Sequence, residues 1–242
     1  SEDYSLKLGY ESSHSIAIDT VAPNSKVLDI GGGQGRIAHE LKKKGCSVIG
    51  IDRCELKYEE NYDTFFKRDL DFLRFDFDIT KIEYILLLDI IEHLSFPEDF
   101  LIELRENIKL SNPKIIITTP NIAFFITRLQ LLIGKFNYGK EGILDKTHKR
   151  LFTFRTMKRT LRQCGLRVEK ITGIPAPYPK AIGLNIFGKG LLIVNKLLIL
   201  LSKSLFSYQI YVEVRSTPVI NALLKYTIEK SDQKKKMFAS QQ

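Results

Sequence analysis

Asp29, Gly31, Gly33 and Gly35 occupy alternate positions in "VLDIGGGQG", between an apolar run and a helical pattern. Glycines there remove Cβ atoms and admit positive φ, so a bulky ligand can lie directly over the backbone. A strand, a glycine-rich turn and a helix N-terminus together make a site of that kind. The spacing is not G-x-G-x-x-G, and no Lys-Ser/Thr pair follows, which excludes the phosphate-cradling nucleotide loop. A glycine-rich run also occurs as a plain tight turn, so the acids beyond it carry weight. Asp52 ends the next apolar run, nineteen residues past Gly33, where a carboxylate can accept hydrogen bonds from both hydroxyls of a ribose. In "RDL", Asp69 and Leu70 follow a third apolar stretch, placed to hold an adenine amino group and ring. Each acid alone reads equally as a turn residue at a strand end. The ordered set points to a nucleoside-bearing ligand.

Short apolar runs alternating with helical patterns supply the frame. Strands are expected at 25–30, 47–52, within 62–70, at 81–89 and at 113–120. Helices are expected at 35–45, closed by Gly45, and at 97–110, opened by Pro97 and acids. That alternation predicts a parallel sheet covered on both faces. Beyond Pro120 come an apolar helical stretch and the Gly- and Lys-rich "GKFNYGKEGILDKTHKR". A helix at 153–165, a strand at 166–174, the apolar segment 182–206 and a strand-like 208–215 follow. The expected organisation is one domain over 1–215 with insertions at 121–150 and 180–206. An extension, 216–242, ends in a polar tail of disordered composition.

Composition sets broad limits. Of 242 residues, 44% are hydrophobic and 27% charged, as in soluble globular chains. Three cysteines form no C-x-x-C and cannot all pair, so a reducing, cytoplasmic setting is expected. The chain lacks Met at position 1 and a signal-peptide pattern, and a processed or trimmed terminus is expected. The net charge of +9 is dispersed, with Lys42–Lys44 at a helix end and Lys234–Lys236 in the tail. Charge alone suits nucleic acid, phosphate-bearing small molecules or a membrane surface equally.

On "VLDIGGGQG", Asp52 and Asp69, the chain resembles the class I S-adenosylmethionine-dependent methyltransferases. "TTPN" (118–121) and "HKRLFTF" (148–154) make it most similar to the ubiquinone-type O-methyltransferases and those of surface-polysaccharide loci. Gly32, where relatives often have Cys, and the segment 182–206 depart from that pattern. The resemblance implies a Rossmann-like α/β fold. Its seven-stranded, mostly parallel sheet would have the order 3-2-1-4-5-7-6, with helices on both faces and the seventh strand antiparallel. It also implies S-adenosylmethionine over Gly31–Gly35, with Asp29, Asp52, Asp69, Leu70, Asp89 and Glu92 around it.

Methyl transfer from a sulfonium asks the protein for proximity and alignment, and a hydroxyl acceptor gains from a general base. His93 and His148 are the candidates. A packing residue at a helix start and a loop residue bonded to backbone are the respective alternatives. Glu92 would orient His93 or line the methionine end of the cofactor. Asn121, Tyr138, Lys149 and Arg150 are candidate acceptor contacts, the two cations reading equally as solvated surface charges. No metal is expected, because the histidines are dispersed and "RFDFD" lacks ligand spacing. "LDIIEHL" stands where methyltransferases of base amino groups carry Asn/Asp-Pro-Pro-aromatic, which argues against nucleic acid.

Lys189, Lys196 and Lys203 recur every seventh residue through 182–206, a single helical stripe with Asn195 and Ser202 beside it. The segment reads as an in-plane interfacial helix with snorkelling lysines or as a helix buried under the sheet or a dimer partner. Burial is the preferred of the two. Residues 122–136 offer a second such helix, with Arg128 and Lys135 again seven apart. The leading expectation is O-methylation of a sugar hydroxyl in a surface glycan or its precursor, free or lipid-linked, at the inner face of the membrane. The alternatives are methylation of a prenylated phenolic or similar amphiphile, and a non-catalytic cofactor-binding or assembly module.

Overall fold

The computed structural model describes residues 10–55, 59–73, 75–108, 111–178, 183 and 185–217. The tail with Lys234–Lys236, most of the 216–242 extension and the start of the 182–206 segment lie outside these residues. So does the expected end of the 97–110 helix.

The first crossovers follow the apolar pattern. Strand β1 (Lys26–Ile30) leads through the glycine turn into α2 (Arg36–Lys43), preceded in the chain by α1 (Ser13–Thr20). Strand β2 (Ser47–Asp52) follows, then β3 (Thr64–Lys67), β4 (Tyr84–Leu88), α3 (Pro97–Ile108) and β5 (Lys114–Pro120). The chain continues through α4 (Phe125–Leu132), α5 (Phe154–Gln163), β6 (Leu166–Ile174), α6 (Ile186–Leu201), α7 (Lys203–Phe206) and β7 (Gln209–Ser216). The sheet order is β3-β2-β1-β4-β5-β7-β6, and β7 runs antiparallel to both neighbours.

Period-two alternation distributes the strand residues between two cores. Leu28, Ile85, Leu87, Ile115 and Ile117 join the cluster that also holds Leu101, Leu104, Met157 and Leu161 of α3 and α5. Their neighbours Val27, Leu86 and Ile116 turn to the opposite face, against Ala17 of α1 and Ile37, Ala38 and Leu41 of α2. Both faces are therefore dry, which is why the central strands read as continuous apolar runs.

Capping fixes several helix ends. Ser12 and Ser15 form a reciprocal capping box at α1, and Thr153 and Thr156 do the same at α5, each satisfying two otherwise unpaired N–H groups. Lys42 and Lys43 close α2, where cations favour the dipole.

Two expectations are corrected. The helix expected over 122–136 is only α4, because Gly134 (φ +71°) turns the chain and Lys135 N–H donates to Gln130 O at 2.8 Å. In the 182–206 segment, α6 is not buried under the sheet: only Gly188, Leu192 and Asn195 are buried within the chain. The lysine stripe also breaks, since Lys203 lies in α7, beyond the turn at Ser202. Asn195 points inward instead, accepting from Ala176 N at 3.0 Å and donating to Phe206 O at 2.9 Å.

Candidate active site

Order reverses between β1 and β4, which run side by side with β2 and β5 on their outer flanks. A crevice outside the carboxyl ends of the strands at such a switch point is where open α/β sheets bind ligands. The glycine turn stands there. Gly31, Gly33 and Gly35 have φ of +76°, +55° and +72°, a region open to glycine and costly for other residues.

The three glycines do different work. A Cβ on Gly31 would meet Ile90 Cδ1 at 2.2 Å, and one on Gly35 would meet Asn61 and Tyr62 at 2.7 Å. Those two allow protein to close on protein. Around Gly33 nothing lies within 4 Å of the Cβ position, so this residue offers bare backbone to the open side. Gly32, the departure from the family pattern, is explained as well: its Cβ would sit 2.1 Å from Asp29 Oδ2 and 2.3 Å from Tyr62 Oη.

Asp52 holds the turn from the side. Its Oδ2 accepts from Gly33 N at 2.9 Å and its Oδ1 from Cys54 N at 2.8 Å. Each oxygen keeps a lone pair for a ligand hydroxyl. Asp29 lies beneath the turn, 1% exposed, and accepts from Tyr62 Oη at 3.0 Å. It supports the loop from below, which corrects its expected place among the ligand contacts. Burial pushes its carboxyl up to about 7, opposed by the Tyr62 hydrogen bond and reinforced by the charge of Asp52. Burial also pushes the Tyr62 hydroxyl up, with Asp29 adding to it.

Asp69 follows β3 and is exposed. Its Oδ1 accepts from Asp71 N at 3.0 Å, capping the short turn Leu70–Phe72. Leu70 packs half-buried against the larger core.

Asp89 ends β4 with φ +56°, an uncommon conformation for a residue other than glycine. Three elements hold it. Thr118 Oγ1 of β5 donates to Oδ1 at 2.8 Å, Gln209 Nε2 of β7 reaches both oxygens at 2.8 Å, and Ser13 Oγ of α1 approaches Oδ2 at 3.5 Å. Strain retained by surrounding bonds is a mark of functional positions.

One short turn further on, the two histidines meet. Ile90, which fills the space over Gly31, accepts from His93 N–H at 2.9 Å and so opens the turn Ile91–His93. Glu92 is buried, and its carbonyl accepts from Lys149 N at 2.8 Å and Arg150 N at 3.0 Å. That pair of bonds draws the 143–150 segment onto the turn. The rings of His93 and His148 then lie edge to face with centroids 4.8 Å apart. His93 Nδ1 is 3.2 Å from Thr147 O, and His148 Nδ1 is 2.9 Å from Ile143 O. A carbonyl can only accept, so each Nδ1 carries the proton and each Nε2 presents a lone pair. Burial holds the His93 imidazole below its ordinary range, and the neighbouring His148 adds to this.

Histidines dispersed in sequence are therefore neighbours in space. With Glu92 they form a group whose donor atoms lie within 4.8 Å of one another.

The expected acceptor contacts divide. Tyr138 is half-exposed and stacks edge-on with Phe136, centroids 5.5 Å apart. Lys149 Nζ bonds Asp71 Oδ2 at 3.1 Å and Ser95 Oγ at 2.7 Å, and Arg150 pairs with Glu98. Both cations are surface pairs, which exchange partners at little cost. Asn121 is corrected. It is fully buried, donates to Ser204 O at 2.9 Å and Ser207 O at 2.8 Å, and accepts from Ala123 N at 3.1 Å. Its amide staples α4 to α7, and its full burial keeps it from an open ligand site.

Sequence reasoning missed Tyr62, Gln209 and Ser13. Gly50 signalled Tyr62, since a glycine inside a strand marks close approach, and its Cβ would meet the Tyr62 ring at 2.6 Å. Nothing local signalled the other two.

A bare-backbone glycine turn, a carboxylate at the end of β2 and a seven-stranded sheet with this order define a nucleoside-cofactor α/β enzyme. The methyltransferase-domain family matches residues 15–171, and the chain belongs to that family: it is an S-adenosylmethionine-dependent methyltransferase. Its fold is similar to that of a SAM-dependent methyltransferase from Archaeoglobus fulgidus, 21% identical over 84% of this chain and 90% of the other, TM-score 0.54. It is also similar to the Burkholderia thailandensis 1,6-didemethyltoxoflavin-N1-methyltransferase with bound 1,6-didemethyltoxoflavin and S-adenosylhomocysteine. That match is 14% identical over 86% and 79% of the chains, TM-score 0.53. A third similar fold is magnesium protoporphyrin IX methyltransferase from Synechocystis PCC 6803 with bound S-adenosylhomocysteine, 16% identical over 85% and 80%, TM-score 0.51. Comparison with curated protein sequences returns no match.

Proposed function

We propose that this methyltransferase O-methylates a sugar hydroxyl in a surface glycan or a glycan precursor, with His93 and His148 as the proton-accepting pair. The observation that carries the reading is the shared tether of the two rings: both Nδ1 atoms are tied to backbone carbonyls, leaving two Nε2 lone pairs one turn from the glycine loop.

S-adenosylmethionine supplies a methyl carbon on a sulfonium, an electrophile that transfers in line to an oxygen nucleophile. Gly33 and Asp52 are the residues to hold its nucleoside side, with Asp69 and Leu70 at the adenine. A sugar hydroxyl is a weak nucleophile at neutral pH, so removal of its proton as the new bond forms lowers the barrier. An imidazole Nε2 takes that proton, and the second imidazole, 4.8 Å away, can pass it toward solvent. The lowered affinity of His93 for protons keeps the accepting form present at neutral pH. Tyr138 and Phe136 offer aromatic faces against which a sugar ring stacks, and Lys149 can exchange Asp71 for a phosphate or carboxylate on the acceptor.

A second reading, methylation of a prenylated phenolic, is favoured by one observation: the segment leading to His148 carries exposed Leu131, Leu132 and Ile133. Incubation with methyl-labelled cofactor and a source-cell extract separates the two. Acid hydrolysis that releases the label as an O-methyl sugar supports the proposal. Label that stays on an aromatic product supports the second reading and overturns the first.

A further inference from the structure

Eighteen large apolar side chains are exposed among the described residues, and fifteen of them fall in two segments, 126–138 and 186–201. Scattered apolar residues need no explanation, but a concentration of this kind marks an interaction surface. Ile186 is 87% exposed, Leu200 82% and Leu132 81%. Residues 128–141 are exposed without interruption.

The two segments have a common root. Phe125 of α4 lies 5.9 Å from Phe206 of α7, and Arg128 reaches Ser204 Oγ at 3.4 Å. The Asn121 staple ties the same seam. Helix α6 runs into α7 through Ser202 and is anchored there by Asn195.

Charge identifies the occupant. Between Asn121 and Lys140 the only charged residues are Arg128 and Lys135, and Lys140 follows; from Asn185 to Phe206 they are Lys189, Lys196 and Lys203. Neither segment contains an acid. Glu11 pairs with Lys196 from outside the segments, and Glu141 ends the exposed arm; a second copy packed two-fold on this surface would still set Arg128, Lys135, Lys189 and Lys203 against their own equivalents. An anionic surface accepts both features, the apolar side chains entering among acyl chains and the long cationic ones reaching up to head groups. Helix α6 has sixteen residues, and no helix among the described residues is long and apolar enough to cross a membrane.

We propose that α4 with the arm after it, together with α6, docks in the plane of a bilayer containing anionic lipid. The surface does not depend on which acceptor is used. It does bring the arm's return, where Gly139 N donates to Leu144 O at 2.7 Å, and hence the His148 segment, to the lipid. A lipid-linked acceptor would therefore be presented from the bilayer side, a consequence that rests on the proposed function.

Flotation of the full chain tests the docking surface, with vesicles of phosphatidylcholine alone and of phosphatidylcholine mixed with phosphatidylglycerol. The protein is expected to float with the anionic vesicles, and added salt to release it. Leu132→Ser/Ile133→Ser and Leu200→Ser/Leu201→Ser should each lower the bound fraction. Lys135→Glu and Lys189→Glu should each weaken partitioning about fivefold or more. Unchanged S-adenosylmethionine affinity in every variant reports that the fold is intact. Flotation unchanged in the serine variants, or no flotation with either vesicle, overturns the proposal. So does a solution dimer that those substitutions dissociate. Failure here would leave methylation of soluble sugars intact, and failure of the sugar reading would leave flotation intact.

Discussion

His93 and His148 face each other edge to face with ring centroids 4.8 Å apart, each with Nδ1 committed to a backbone carbonyl. The contact exists because the Glu92 carbonyl accepts two successive N–H groups, from Lys149 and Arg150. Two imidazoles so close cannot both hold a proton without repulsion.

The pH dependence of turnover follows from this. Burial and then His148 hold His93 below its ordinary value of 6.5, opposed by the Thr147 carbonyl, Asp145 and Asp89. The accepting form therefore persists to lower pH, and the acid limb of kcat/KM should fall below 6.5. NMR titration of the His93 ring should show its midpoint moving up in His148→Gln, because a repelling charge is removed. A downward shift would mean that Asp145 and Asp89 no longer reach His93.

Gly33 and Gly35 separate ligand approach from packing. Gly33→Ala enters open space, so stability should fall by only about 1 kcal/mol, the cost of the left-handed backbone. Cofactor affinity should fall by about tenfold or more, because the new methyl group stands on the ligand side. Gly35→Ala collides with Asn61 and Tyr62 and should destabilise by about 1–3 kcal/mol. Calorimetric titration and thermal unfolding of both variants check the contrast.

Asp29 makes stability depend on pH in an unusual direction. Its folded-state value of about 7 lies above the unfolded 3.8, so the folded protein binds the extra proton. The contribution is fully present below about 3.8 and is lost as pH rises through about 7. Asp29→Asn, which keeps an acceptor for Tyr62, should flatten the denaturation midpoint between pH 3.8 and about 7. A variant with the wild-type slope would place that dependence elsewhere.

Much of this was legible in the chain because strand identity rests on local pattern. Strand β6 occupies 166–174 as expected, and β2 fills 47–52, since apolar runs bounded by glycine and acids leave few alternatives. The order of the glycines, Asp52 and Asp69 was likewise readable, each sitting at a strand end. What escaped depends on contacts distant in sequence. Tyr62 reaches Asp29 across two strands, and Gln209 reaches Asp89 from the far end of the chain. Asn121 stood in a suggestive motif, yet its amide is consumed by the backbone of α7. The exposure of α6 was misjudged because apolarity all round normally signals burial within the protein, and a pattern alone does not say which medium covers a helix.

Chelation distinguishes a proton-accepting pair from a metal centre. Glu92, His93 and His148 have the donor types of a zinc site. The proposed reaction uses the imidazoles as bases, so prolonged dialysis against EDTA should leave turnover unchanged. Loss of activity restored by a divalent ion would reassign the three residues as ligands.

The most direct test is the single-turnover rate of methyl transfer, with cofactor saturating, in the wild type and in His93→Gln/His148→Gln. The double variant should bind S-adenosylmethionine as the wild type does and transfer its methyl group about 10²–10⁴-fold more slowly. Transfer at the wild-type rate would contradict the imidazole pair as the base, and with it the central claim.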